Sequence, residues 1–292
     1  MDKCIISLTS VPEKLKYLNE FDMRCGIERL LNLNYENYEV HLNLPDKLKS
    51  TNEQYVIPDW LKKMDDTYDK LKIFSGLEDM GPITKVYYTL DRISDPEQLI
   101  IVLDDDMLYR KNLIEEHIEN QKKFPNCVVG YDALAQVDNE YDDIRYHWCS
   151  GLRKSIRVKI LQHWKTISYK RKYFGEDFRN FVDENFIWND DILVSAYMAY
   201  RKINRIVTYH PTDNTKHEYE DLDEWREQLS STFPIDRYLQ HCGNSGCNKF
   251  RNDANKFWFD PGNLDERETT LYTKYLDKSK EIETVPNLGI VK

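Results

Sequence analysis

Three consecutive carboxylates, Asp104-Asp105-Asp106, follow directly on the apolar run Leu99-Ile-Ile-Val-Leu103. Along a strand, residues i and i+2 share one face about 7 Å apart. Asp104 and Asp106 therefore point together wherever strand geometry continues. Like charges at that separation repel by about 0.6 kcal/mol in water and by more near a protein surface. A divalent cation turns this repulsion into attraction, and hard oxygen donors suit Mg²⁺ or Mn²⁺ better than zinc. The place is also right, because open α/β sheets bind ligands outside the carboxyl ends of their strands. The plain alternative is a polar turn, in which Asp is common.

Two further groups have chemistry to offer. Asn189-Asp190-Asp191-Ile192 opens a helical stretch, and Asn and Asp are good helix caps; Trp188 beside it has a flat apolar face that suits either a sugar ring or the core. His241-Cys242 and Cys247 form a short His/Cys group, but zinc needs four ligands and a second close pair is missing. The six cysteines read as reduced, mostly buried thiols.

The elements that must position these residues are legible in the first 131. Ile5 to Leu8 is a buried strand, and Pro12 suits a helix start. Leu15, Leu18, Cys25, Ile27, Leu30 and Leu31 make a helical stripe over about 20 residues. Tyr38 to Leu44 alternates with strand period, and Leu71 to Phe74 is a third strand. Gly81-Pro82 is a turn, with a helix over Ile83 to Ile93. Gln98 to Leu103 is apolar on both faces, as a central parallel strand is. A helix over Asn112 to Lys123 and a strand over Cys127 to Tyr131 complete the alternation. Such β/α alternation predicts a parallel sheet covered by helices. Beyond it the pattern loosens. Tyr131 to Asp143 reads as an acidic loop. Gly151 to Lys172 carries eight Lys or Arg and no acid, and reads mostly as a solvated helix face, with Arg153 and Lys154 next to the Trp148 to Gly151 turn. Asp190 to Arg201 is a helix and Ile206 to Tyr209 a strand, Asp213 to Glu227 is acidic and solvated, and the chain from Asp253 is rich in Lys, Glu, Asp and Tyr.

The whole chain has 292 residues, a net charge of −10 and a pI near 5.3. Its 13% aromatic content excludes a disordered class. Its acidity argues against nucleic acid held through a general phosphate field. No run of 18 apolar residues suggests a membrane span. The N-terminal apolar stretch is too short for a secretion signal, which points to a cytosol-like compartment.

The ordered set Ile5-Ile-Ser-Leu-Thr-Ser-Val-Pro12, Asp79-Met-Gly-Pro-Ile-Thr-Lys85 and Ile100-Ile-Val-Leu-Asp-Asp-Asp106 resembles the nucleotide-sugar glycosyltransferases of GT-A fold. It is similar in particular to their small bacterial and large-DNA-virus, chlorovirus-like members. The resemblance covers residues 1–131, extends to about residue 210, and does not reach the C-terminal 80 or so. It implies a Rossmann-like, mostly parallel sheet flanked by helices. Residues 1–131 would then be the nucleotide-sugar half, 132–252 a less regular acceptor and base half of the same domain, and 253–292 a C-terminal extension. It further implies a UDP-sugar donor, a glycan or other hydroxyl acceptor, and Mn²⁺ or Mg²⁺. Thr9 and Val11 would lie beside the base and ribose. Asp79, Gly81 and Lys85 would form the second wall, with Asp79 accepting from a uracil N–H and Lys85 approaching a phosphate. Asp104 and Asp105 would face the nucleotide, and the metal ligands would be Asp106, Asp104 and His210. The family's second acidic motif falls on Asp190 and Asp191, with Asp in place of Glu at 190. The resemblance makes Asp191 the general base of an inverting reaction, with Asp190 its rival.

Three other classes compete. A phosphatase of the haloacid dehalogenase type also places Asp-x-Asp after a strand, but has Thr or Val where this chain has Leu108. A sugar nucleotidyltransferase needs a Gly-rich loop where this chain has Thr9-Ser10-Val11-Pro12. A lectin-like module would rest on the 20 Tyr and 6 Trp.

Overall fold

The computed structural model describes residues 3–16, 20–105, 109–136, 143–145, 155–158, 160–182, 187 and 190–208. In chain order its strands are β1 (Cys4–Thr9), β2 (Tyr38–Pro45), β3 (Leu71–Leu77), β4 (Leu99–Val102), β5 (Cys127–Gly130), β6 (Ala133–Gln136), β7 (Asp143–Arg145), β8 (Ile156–Arg157), β9 (Ile160–Leu161), β10 (Ile167–Lys170) and β11 (Asn204–Val207). The helices are α1 (Pro12–Lys16), α2 (Glu20–Leu31), α3 (Asp59–Thr67), α4 (Thr84–Asp91), α5 (Leu113–Lys123), α6 (Phe178–Phe181) and α7 (Asp190–Tyr200).

Eight strands form one sheet in the order β3-β2-β1-β4-β10-β5-β11-β8. The first four are mutually parallel, with Ile5 beside Ile100 and Ile6 beside Ile101. β10 is antiparallel to both of its neighbours, and β5 and β11 are parallel again. Alternation sends successive side chains to opposite faces. Ile5, Ile100, Val102 and Tyr169 join Val86 and Leu90 of α4 and Val194 and Tyr197 of α7 on one face. Ile6, Leu8, Leu42 and Ile101 join Leu30 of α2, Leu61 of α3 and Ile114 of α5 on the other. Two cores, one on each face, explain why β1 and β4 are apolar throughout. The expected α/β architecture, a mostly parallel sheet flanked by helices, is present.

Two expectations are corrected. Residues 133–136 are a strand, not loop, and pair with β7 and β9 in a small three-stranded sheet. The basic stretch is not a helix: 156–170 holds three strands and a 3-10 turn, His163–Lys165. The alternation Ile156-Arg-Val-Lys-Ile160 is a period-2 signal that the count of charges masks. Its end is engaged by the preceding loop, Arg171 partly buried and Lys172 at the surface. Arg171 donates from Nε to the carbonyls of Leu90 and Ile93 at 3.1 Å each, and Lys172 pairs with Glu97 at 2.6 Å. The long stripe from Leu15 to Leu31 is divided between α1 and α2. Cys4 and Cys127 are free thiols. Among the described residues no helix is long and apolar enough to cross a membrane. Asp106, Arg153, Lys154, Trp188, His210, His241, Cys242 and Cys247 lie outside the described residues, as do the stretches 213–227 and 253–292.

Candidate active site

The sheet runs from β1 outward through β2 to β3 on one side and through β4 on the other, so its order reverses between β1 and β4. Ligands bind at such a switch point, outside the carboxyl ends of the strands. Thr9-Ser10 and Leu103-Asp104-Asp105 emerge here. Because β10 runs the opposite way, with Ile167 beside Val102, its start also lies at this edge. That brings in the turn 163–166. The first turn of α4 supplies Lys85, fixed where Ser7 Oγ of β1 donates to the Lys85 carbonyl at 2.5 Å.

Four charged side chains meet around Asp190. Lys85 Nζ lies 2.6 Å from Asp104 Oδ1 and 2.9 Å from Asp190 Oδ2. His163 Nδ1 lies 3.0 Å from Asp190 Oδ2 and 2.8 Å from Asp191 Oδ1. The main-chain N–H of His163 donates to that same Asp191 oxygen at 2.8 Å. On its far side His163 Nε2 meets Tyr169 Oη at 2.8 Å. Asp190 Oδ2 is at ion-pair distance from both cations, with neither donor aligned on it as a hydrogen bond. Asp191 Oδ2 has no bond among the described residues, and its side chain is 25% exposed against 11% for Asp190.

Electrostatics follow from this packing. Burial pushes the His163 imidazole down, but the close carboxylate of Asp190 and the hydrogen bond to Asp191 outweigh it, lifting the pKa to about 9. Burial likewise opposes the Lys85 ammonium, and the carboxylates of Asp104 and Asp190 raise it above its usual range. Asp190 is held well below the usual carboxylate range, since Lys85 and His163 overcome its burial. Asp191 is pushed up by burial and by Asp190, against the hydrogen bond from His163. The cluster thus sets two basic side chains, Lys85 and His163, around Asp190, with Asp104 and Asp191 the more exposed acids at its outer side.

Every described candidate has a place. Lys85 is buried at 2% exposure and two of its three ammonium donors face carboxylates. Asp105 is buried, accepting from Ser10 Oγ at 2.5 Å and pairing with Lys14. Asp104 has its backbone pinned by Tyr109, whose Oη donates to the Asp104 carbonyl at 2.9 Å. Thr9 Oγ1 donates to the Asn43 carbonyl at 2.7 Å, while Val11 is exposed. Asp79 accepts from the amides of Lys49 and Gly81, each at 2.8 Å. Gly81 has φ +61°, a backbone that glycine adopts without strain. A carboxylate has about four lone-pair sites, so Asp79 retains capacity to accept a further N–H. Lys85, Asp104, Asp190 and Asp191 are brought together; Asp79 and Gly81 instead clamp the loop at Lys49. Sequence reasoning did not single out His163 or Tyr169. Neither lies in a recognisable motif, and only the antiparallel insertion of β10 delivers them.

At Asp104 the described residues offer one donor towards a cation, the other expected ligands Asp106 and His210 lying outside them. Asp104 Oδ1 faces Lys85, which leaves Oδ2 on a side chain 35% exposed, a hard oxygen of the kind Mg²⁺ or Mn²⁺ takes. A second group, His163, Asp190 and Asp191, has ligand atoms all within 4.8 Å of one another. Within that group the Lys85 ammonium lies 2.9 Å from Asp190 Oδ2, a cation already at these carboxylates.

No family model matches the chain, and no curated protein does. Among solved structures it is similar to S. aureus TarS. A TarS 1–349 structure is 12% identical, with 97% of this chain and 81% of that chain covered and a TM-score of 0.46. The same fragment in complex with UDP is 13% identical, with 97% and 81% covered and a TM-score of 0.46. A longer TarS structure is 14% identical, with 98% and 50% covered and a TM-score of 0.46.

Proposed function

We propose that the chain is a metal-dependent, inverting glycosyltransferase that moves a sugar from a UDP-sugar to a hydroxyl of a glycan or similar acceptor. The observation that carries this reading is Asp191. One of its oxygens is held by two donors from His163, and the other has no bond among the described residues, on a partly exposed side chain at the switch-point edge. A base needs such a free, fixed lone pair within reach of an alcohol. Burial raises the basicity of Asp191, which favours proton transfer. Asp190 is the weaker candidate, because Lys85 and His163 surround it.

In this scheme Asp191 takes the proton as the acceptor oxygen attacks the anomeric carbon. The bond from that carbon to the UDP oxygen breaks, and the diphosphate leaves with the electron pair. Asp104, with Asp106, would hold the cation, which supplies charge stabilisation for the departing diphosphate. In this reading Lys85, buried between two acids, holds Asp104 and Asp190 at a set separation at the edge of the diphosphate site.

Calorimetry with UDP, with and without Mn²⁺, tests donor and metal together. The expected result is binding that needs the cation and loses that need in Asp106→Ala. Unchanged UDP–Mn²⁺ affinity in Asp106→Ala would remove the metal assignment. Screening UDP- and GDP-sugars for nucleotide release identifies the donor. NMR of the product's anomeric proton then reads the stereochemistry, and retention from an α-linked donor would end the single-displacement scheme.

A further inference from the structure

The turn 163–166 is built under constraint. Thr166 has φ +85°, a region that a β-branched residue rarely enters. Such strain persists only where the surroundings over-determine it, and it clusters at functional sites. Here the surroundings are explicit. Thr166 is buried, its Oγ1 bonds His117 Nε2 at 2.8 Å, and its N–H donates to the His163 carbonyl at 2.9 Å. A Cβ added at Gly130 would lie 3.3 Å from the Thr166 carbonyl oxygen, so a larger residue would crowd the turn. Just upstream, the N–H of Leu161 donates to Ser195 Oγ at 3.1 Å and that of His163 to Asp191 Oδ1. Two residues of extended chain, about 6.8 Å, thus run along one turn of α7, about 5.4 Å. The result is that backbone and ring of one residue grip a single carboxylate oxygen.

We infer that His163 is a positioning residue for Asp191, holding Oδ1 with two donors so that Oδ2 is the oxygen offered to the acceptor hydroxyl. This rests on Asp191 being the base. The groups facing His163 are Asp190 and Asp191 from α7, Lys85 from α4 and Tyr169 from β10. At neutral pH the imidazolium donates from Nδ1 to Asp191 and from Nε2 to Tyr169 Oη. Its hydrogen bond and charge work against burial and Asp190, which press that carboxyl towards its neutral form.

Two substitutions separate positioning from bulk. Asn at 163 places an amide N–H near the position of Nδ1, whereas Gln reaches towards Nε2 and leaves Asp191 without its side-chain donor. His163→Gln should lower kcat by ~10²-fold, the scale of a 1 Å misplacement. The donor KM should hold, and the acid limb of the pH–rate profile should move to higher pH. His163→Asn should recover most of the turnover, while its acid limb keeps part of the shift because the amide restores the hydrogen bond and not the charge. Equal losses in the two variants with an unmoved acid limb would overturn the assignment. A double-mutant cycle of His163→Gln with Asp191→Asn, read as unfolding midpoints, needs no activity. Coupled midpoints support the grip and additive ones refute it. Absence of sugar transfer by the unmodified chain would overturn the glycosyltransferase reading, and the cycle would still decide whether His163 holds Asp191.

Discussion

Two pairs of adjacent acids, Asp104-Asp105 after β4 and Asp190-Asp191 at the start of α7, share a division of labour. In each pair one carboxylate is buried among cations or donors and the other keeps an oxygen towards the open edge. Asp105 is held by Ser10 and Lys14, and Asp190 lies between Lys85 and His163. Asp104 and Asp191 are engaged through one oxygen only and are the more exposed members. The pairs differ in what links them. Asp105 is tied to β1 and α1 locally, whereas Asp190 is tied through Lys85 to Asp104 itself. Chemical identity therefore does not assign roles among neighbouring aspartates; the cations that fold against them do.

The sharpest way to break this comparison is to treat Asp190 and Asp191 alike. Asp191→Asn should cut turnover by ~10²–10⁴-fold while UDP binding and the melting temperature change little. Asp190→Asn should chiefly lower stability, because it leaves two buried cations short of a counter-charge. Normal stability with lost turnover in Asp190→Asn would shift the base one residue earlier.

The link between the pairs is tested by Lys85→Met. Removing one partner of a buried ion pair costs about 3–5 kcal/mol, and here two carboxylates lose their cation. Denaturant titration should show a loss of that size. A midpoint within experimental scatter would mean that the bridge does not join the two pairs.

The cluster should also set the pH range of stability. His163 has a raised pKa, so its contribution is fully present below its unfolded value near 6.5 and is lost as pH rises through about 9. The shift corresponds to about 3 kcal/mol. Asp190 has a depressed pKa, so its contribution is present above the unfolded value near 4 and fades as pH falls towards its folded one. Thermal melts across pH should give a plateau between the two unfolded values, from about 4 to about 6.5, and Asp190→Asn should lower the plateau and flatten the fall on either side of it. A melting temperature that still climbs from pH 7 to 9 would contradict the protonated His163.

The smallest effect belongs to Asp79, outside both pairs. Asp79→Ala leaves the amides of Lys49 and Gly81 without their acceptor, a cost of about 1–3 kcal/mol. Uridine affinity should weaken as well, with or without metal. Loss of stability with unchanged uridine binding would restrict Asp79 to clamping the loop.

The local pattern alone determined much of the scaffold. A strand apolar on both faces, such as 99–102, can only be central, and acids directly after it must lie at a sheet edge. The turn at Gly81-Pro82 and the acids opening α7 were equally readable, since a turn or helix start is decided within a few residues. The partners of those acids were not readable. Lys85 has the sequence context of an ordinary helix lysine and becomes buried because β4 and α7 bring carboxylates to it. His163 sits in a basic run without a motif, and it reaches Asp191 because β10 enters the sheet antiparallel between β4 and β5. Gathering Lys85 and His163, 78 residues apart, around Asp190 depends on sheet order, strand direction and exclusion of water. None of these is a property of neighbouring residues, so the tertiary structure alone distinguished the acid held by cations from the acid left with a free oxygen.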